Sequence, residues 1–384
     1  MPALMSSRPQ WDVFCAVVDN YGDIGVCWRL SRQLAAEHGI AVRLWVDDLK
    51  PFARLCPAVD VTVSCQTQEG VEIRHWDKSF PDVQPGVVVI EAFACTLPPA
   101  FLAAMAAQPT PPVWLNVEYL SAEDWVRGCH GLPSPHPSLP LTKYFFFPGF
   151  SEGTGGVLGE AGLESARAAF VADARAQQAW FAAQGLAPAA PDALTVSLFS
   201  YGGKRINALL AVWEASAQPI HVWLPEGRGV AEASAWAGQP LSPCQPFQRG
   251  ALTCVVLPFL PQPDYDRLLW LCDVNFVRGE DSFVRAQWAA RPFVWHIYPQ
   301  DDNVHMGKLS AFLDRYSEGC APATSEALFT FWHNWNHGIG LADGWRTLLP
   351  VLPALNQHAA DWATQLGQRA GLAANLVRFC KNLL

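Results

Sequence analysis

Asp19 and Asp23 stand four residues apart in DNYGDIG, directly after the apolar run WDVFCAVV. Two carboxylates on a glycine-bearing turn at the carboxyl end of a buried strand can hold a cationic group and accept a proton from it. The position is that of a dinucleotide-binding turn, but G-x-G-x-x-G is absent, and two anions would repel a pyrophosphate. A plainer role is open for the same residues. Asp23 could cap a helix beginning at Ile24, with Asp19 and Asn20 as ordinary turn residues.

A second constellation lies in VNFVRGEDSFVRAQWAARPFVWHIYPQ (274–300). A strand ending at Arg278-Gly279 runs into a helix that starts through Glu280-Asp281-Ser282. Free backbone N–H groups and the positive end of that helix form an anion site. Arg278 could add a charge-assisted contact and Ser282 a hydroxyl donor. Glu280 and Asp281 would face sugar or ribose hydroxyls, or would simply favour the first helical turn. Upstream, Phe259 could stack on a base while Gln262 bonds its edge; a core Phe and a surface Gln are the plainer reading. Phe199 and Tyr201 share one face of another strand end.

Other patterns are weaker. Asp264-Tyr265-Asp266 spells D-x-D but opens an amphipathic helix, where acidic residues are expected without any metal. His333 and His337 lack the intervening Glu of a metalloprotease helix, and their Trp-rich surroundings suggest packing.

Such residues need elements to position them. Apolar strands at 11–19, 41–48, 87–94 and 113–120 alternate with helices such as 24–39, which Gly39 closes. Near 151–190 the rhythm breaks into a glycine turn, an Ala-rich helix (about 164–185) and a Pro-rich joint. It restarts with strands at 194–201, 221–225, 252–260, 274–279 and 292–298, and ends in an amphipathic helix at 363–383. Continuous apolar strands between helices indicate parallel sheets covered on both faces. The expected fold is α/β, two facing doubly wound (Rossmann-like) domains with a cleft between them. Expected boundaries are 1–155, a linker or helical connection at 156–192, a second domain at 193–362, and a terminal helix at 363–384 packing back on the first domain.

The chain has 384 residues, 51% of them hydrophobic and 16% charged, with 17 Trp and a net charge of −9. That excludes a disordered chain, which lacks apolar surface to offset ordering entropy. With no Lys/Arg run, nucleic acid is not the expected partner; an acidic protein instead suits a cationic acceptor. Eleven scattered cysteines without a C-x-x-C pair fit free thiols in a reducing cytosol. The N-terminal segment shows no signal peptide and no run is long enough for a membrane span, so a cytoplasmic protein is expected.

VVDNYGDIGVCWRL, VVIEAFAC, WLNVEYLSAEDW, KYFFFPGFSEGTGG, PFLPQPDYDRLL and RGEDSFVRAQWAARPFVWHIYPQDDNVH together resemble the EarP-type protein-arginine rhamnosyltransferases, in order from about residue 11 to 312. The resemblance implies a GT-B fold, dTDP-β-L-rhamnose as donor, an arginine of elongation factor P as acceptor, and no further cofactor or metal. It places the essential acidic residues at Asp19, Asp23 and Glu280, and donor-binding residues at Tyr201, Phe259, Gln262, Arg278, Asp281, Ser282 and Tyr298. Nothing is carried over within 156–192 or 226–250. A guanidinium is protonated and delocalised, so its glycosylation needs residues that hold the planar fork and take a proton as the bond forms. The expected roles are Asp23 as general base and Asp19 as orienting group, with attack opposite the leaving group inverting the anomeric carbon. A nucleotide-sugar epimerase and a non-catalytic nucleotide-dependent binding module are the competing classes.

Overall fold

A computed structural model describes residues 9–19, 21–77 and 80–384; Asn20 and the first eight residues, on which two of the expectations above bear, lie outside them. The chain forms two compact units, residues 1–161 with 369–384, and residues 162–368.

The first unit holds strands β1 (Gln10–Cys15), β2 (Ala41–Val46), β3 (Cys65–Gln68), β4 (Val71–His75), β5 (Val88–Ala92), β6 (Val113–Val117), β7 (Pro133–Pro135) and β8 (Thr142–Phe146). They make one sheet in the order β3-β4-β2-β1-β5-β6-β8-β7. Only the edge strands β3 and β7 run antiparallel. The interior strands are buried along nearly their whole length, as their mostly apolar composition requires, and the polar residues they carry (Asp12, Glu91, Asn116) are buried with them. The order reverses between β1 and β5, and this switch point is where open α/β sheets offer their strand ends to ligands.

The second unit repeats the scheme with β9 (Leu194–Leu198), β10 (Ile220–Leu224), β11 (Pro246–Arg249), β12 (Leu252–Val256), β13 (Val274–Arg278) and β14 (Phe293–His296). Their order is β11-β12-β10-β9-β13-β14, with β11 alone antiparallel. The switch point here falls between β9 and β13. Phe283 stacks on Trp295 at 3.9 Å and anchors the helix Asp281–Trp288 over β14.

Several expected bounds change. Each core strand is shorter than its apolar run, because Ala16–Val18, Phe199–Tyr201 and Phe259 leave the sheet and form loops. The Ala-rich helix is two, Leu163–Ala172 and Ala174–Ala183, broken at Asp173, whose carboxylate caps the second. Residues 156–192 do not form a separate connection: the crossing falls at 161/162, and both helices belong to the second unit. The last helix is also two, Leu352–Gly367 and Leu372–Lys381, with the chain crossing back between them. The second packs on the first unit, where Asn375 donates to Gly155 O (3.0 Å) and Phe379 meets Phe146 edge-on.

A buried ion pair ties β1 to β2. Arg43 bonds both carboxylate oxygens of Asp12, which also accept from Trp45 Nε1 (2.8 Å) and Gly86 N (2.7 Å). Removing one partner strands the other charge in the core. Asp12→Ala should cost about 3–5 kcal/mol in urea unfolding, while a volume-matched Asp12→Leu/Arg43→Met pair should cost much less.

Candidate functional site

The carboxylate loop sits at the β1/β5 switch point of the first unit. Its helix is Gly22–His38, two residues earlier at its start than the Ile24 expected with Asp23 as a cap. Tyr21 is the N-cap and makes no side-chain cap bond. Asp23 instead reaches back: Oδ2 accepts from Val18 N (2.9 Å) and Asp19 N (2.8 Å). That corrects the capping reading, since the carboxylate shapes the loop before the helix rather than closing the helix end. Asp23 Oδ1 accepts from the Tyr119 hydroxyl at 3.0 Å. Asp23 is 1% exposed, whereas Asp19 is half-buried. A Cβ at Gly22 would lie 3.1 Å from Asp19 Oδ2, so glycine lets the two carboxylates share one tight turn.

Tyr119 follows β6 and was not singled out from sequence. Its ring stacks on Phe93 at 4.3 Å and 13°. Phe93 and Ala94 both adopt left-handed backbone (φ 57° and 55°), a conformation that costs non-glycine residues of order 1–3 kcal/mol each. Asn116 Oδ1 holds the turn by accepting from Ala94 N (2.9 Å).

The second unit gathers its site residues at the carboxyl ends of β9, β12, β13 and β14. Gly279 (φ 62°) turns the chain out of β13, and its carbonyl accepts from Trp295 Nε1 (2.9 Å). Glu280 is the buried N-cap residue of the helix Asp281–Trp288. The Arg278 guanidinium lies over both Phe199 (4.4 Å) and Tyr201 (4.7 Å) and donates to Ser200 O at 3.4 Å. Tyr201 meets Tyr298 edge-on at 5.3 Å, and Tyr298 is exposed. Gln262 Nε2 donates to Asp281 Oδ2 at 3.2 Å, joining the starts of two helices. Phe259 is half-buried on the loop before Gln262. Ser282 departs from expectation. Its hydroxyl donates to Arg278 O and accepts from Arg278 N (3.0 Å), so it closes the turn instead of offering a donor outward.

Asp264 and Asp266 have arginine partners. Asp264 accepts from Arg267 (2.7 Å) and Trp180 Nε1 (2.9 Å). Asp266 forms a buried two-bond pair with Arg285, which clamps the helix Gln262–Leu271 to the helix Asp281–Trp288. His337 Nδ1 lies 2.8 Å from His333 O, and the flanking Trp332 and Trp335 are wholly buried. No cluster of three metal-ligating side chains occurs among the described residues. No described helix is long and apolar enough to cross a membrane.

Two mostly parallel sheets of Rossmann type, each with its polar residues at a switch point, place the chain among glycosyltransferases of the GT-B class. The kitacinnamycin glycotransferase shares this fold at 14% identity, TM-score 0.51, over 97% of this chain and 99% of that one. A family profile for elongation-factor P (EF-P) rhamnosyltransferase EarP matches residues 11–381. The protein-arginine rhamnosyltransferase of Pseudomonas putida is 52% identical over 98% of this chain and 100% of its own length; that of Pseudomonas aeruginosa is 50% identical over 96% and 98%. A solved structure described as the basis for EarP-mediated arginine glycosylation of translation elongation factor EF-P has TM-score 0.71 and 38% identity, covering 98% of this chain and 100% of that one. The chain belongs to the EarP family of protein-arginine rhamnosyltransferases.

Beside Tyr201, His296 is a further residue that no motif singled out. Its Nδ1 faces Tyr201 N at 3.2 Å and its Nε2 faces Arg205 Nη1 at 2.9 Å. A neutral ring can accept at one of these nitrogens and a protonated ring at neither. Burial, then the charges of Arg205 and Arg278, hold its pKa well below the ordinary value. The unfolded chain therefore binds this proton first, near pH 6.5, so the contribution is full above that pH and is lost as pH falls. His221, lowered to about 4 by burial, acts in the same direction. Urea midpoints should fall from pH 7.5 to 5.5, and His296→Gln should make that fall shallower.

Proposed function

We propose that this enzyme transfers L-rhamnose from dTDP-β-L-rhamnose to an arginine of elongation factor P with inversion at the anomeric carbon. The observation that carries this reading is the β1 loop, where two carboxylates share one turn and one of them is fixed by backbone N–H groups. A planar guanidinium matches carboxylate geometry, and a group held in advance loses little freedom when it binds. Asp19, the more accessible carboxylate, orients the guanidinium. Asp23 takes the proton through Oδ1 as the nitrogen attacks, the guanidinium lone pair forming the C–N bond while the C–O bond to dTDP breaks.

The second unit holds the donor. Phe259 stacks on the thymine, and Tyr201 and Tyr298 flank the nucleotide sugar. The Arg278 guanidinium and the start of the helix Asp281–Trp288 meet the diphosphate, whose charge grows as it departs. Packing against two rings and one bond to Ser200 O fix Arg278 in place, a geometry suited to presenting its remaining N–H groups to an anion. Gln262 and Asp281, joined to each other, meet the donor's polar groups together, and Glu280 faces the sugar. Ser282 contributes by shaping the Arg278–Gly279 turn. The leaving group is stabilised by these cationic and dipolar groups, and the D-x-D carboxylates are held by arginines. No metal is invoked and no cofactor beyond the donor.

Enzyme, dTDP-β-L-rhamnose and elongation factor P, incubated with a chelator, should give acceptor carrying one deoxyhexose on one arginine, as read by intact and peptide mass. NMR of the product should show the anomeric configuration opposite to the donor's. An unmodified acceptor, turnover of the donor alone, or a retained configuration would each overturn the reading.

A further inference from the structure

Asp23 is 1% exposed, yet a base must meet its substrate. Two backbone N–H groups occupy Oδ2, which leaves Oδ1 as the oxygen that faces the acceptor. The one protein group bonded to Oδ1 among the described residues is the Tyr119 hydroxyl. Tyr119 is itself 37% exposed, so the hydroxyl bonded to Oδ1 belongs to a side chain that solvent reaches. Its ring is not free to drift. Phe93 stacks flat against it from a loop that carries two successive left-handed residues, and Asn116 pins that loop. Strained backbone persists where surrounding contacts over-determine it, and here those contacts converge on the ring that touches Asp23.

We infer that Tyr119 is a positioning residue for the transfer reaction: its hydroxyl fixes the direction of Asp23 Oδ1, and the Phe93 stack fixes the hydroxyl. An oxygen anchored by one donor keeps a second lone pair for the acceptor N–H. With three hydrogen bonds on its two oxygens, the carboxylate has no rotational freedom left to lose when the acceptor binds. This inference rests on the role proposed above for Asp23.

Tyr119→Phe removes the hydroxyl and keeps the ring on Phe93. It should lower kcat by about tenfold to a hundredfold, the range for losing a hydrogen bond to a charged group in an aligned site. The KM for donor and for acceptor should stay within about twofold. Phe93→Leu keeps the hydroxyl and loosens the stack beneath it, and should give a smaller fall in kcat with the same unchanged KM values. Thermal unfolding of each variant establishes that it is folded. Wild-type kcat in Tyr119→Phe would overturn the inference, as would a loss confined to the acceptor KM, which would make Tyr119 a simple contact or a cover. The wild-type enzyme in the same assay separates the two claims: if it modifies no acceptor, the proposed function has failed, and not the role of Tyr119 alone.

Discussion

The two hydrogen bonds from Val18 N and Asp19 N to Asp23 Oδ2 are the constraint on which the first half of this enzyme turns. They bend the chain as it leaves β1, bring Asp19 beside Asp23, and leave Oδ1 of Asp23 to the Tyr119 hydroxyl. The loop can close so tightly because Gly22 has no Cβ to press on the Asp19 carboxylate. Everything else near the loop holds this arrangement in register. The β1–β5 ladder sets where Phe93 emerges, the β5–β6 ladder sets where Tyr119 emerges, and their stack returns to Asp23.

Under the proposed function the second unit meets a different demand, that of receiving an anion. It solves this with cation–π packing and a clamp between helices. Arg278 lies against two rings, while the buried Asp266–Arg285 pair holds two helix starts at a fixed separation. A buried pair of this kind contributes little net stability, but breaking it is costly, which makes it a means of fixing geometry. The Gln262–Asp281 bond lies on that clamped frame and inherits its precision.

Fold class was legible because buried parallel strands are mostly apolar, a pattern that Val88–Ala92 and Ile220–Leu224 display with one polar residue each, Glu91 and His221. The edge strands β3, β7 and β11 were not legible, being short and half solvated. Strand ends were overrun for a physical reason: residues that leave a sheet to line a site, such as Phe199 and Tyr201, are as apolar as those that stay. The acidic loop and the RGEDS turn stood out through residue type and spacing. Tyr119, Phe93 and His296 did not, because their roles arise from contacts between strands distant in sequence, such as the 96 residues separating Asp23 from Tyr119. Ser282 shows the converse. Its position at a helix start was plain, but only the structure reveals that its hydroxyl is spent on the Arg278 turn.

The proposed function divides the labour, with proton transfer in the first unit and donor binding in the second. Asp23→Asn preserves side-chain shape while removing the base, and so separates the two most directly. Calorimetric titration of dTDP-β-L-rhamnose into this variant, paired with single-turnover transfer to elongation factor P, reads both functions on one protein. Donor affinity is expected within about twofold of wild type and transfer slowed by at least about a hundredfold. Transfer at the wild-type rate, or donor affinity lost along with transfer, would contradict this division.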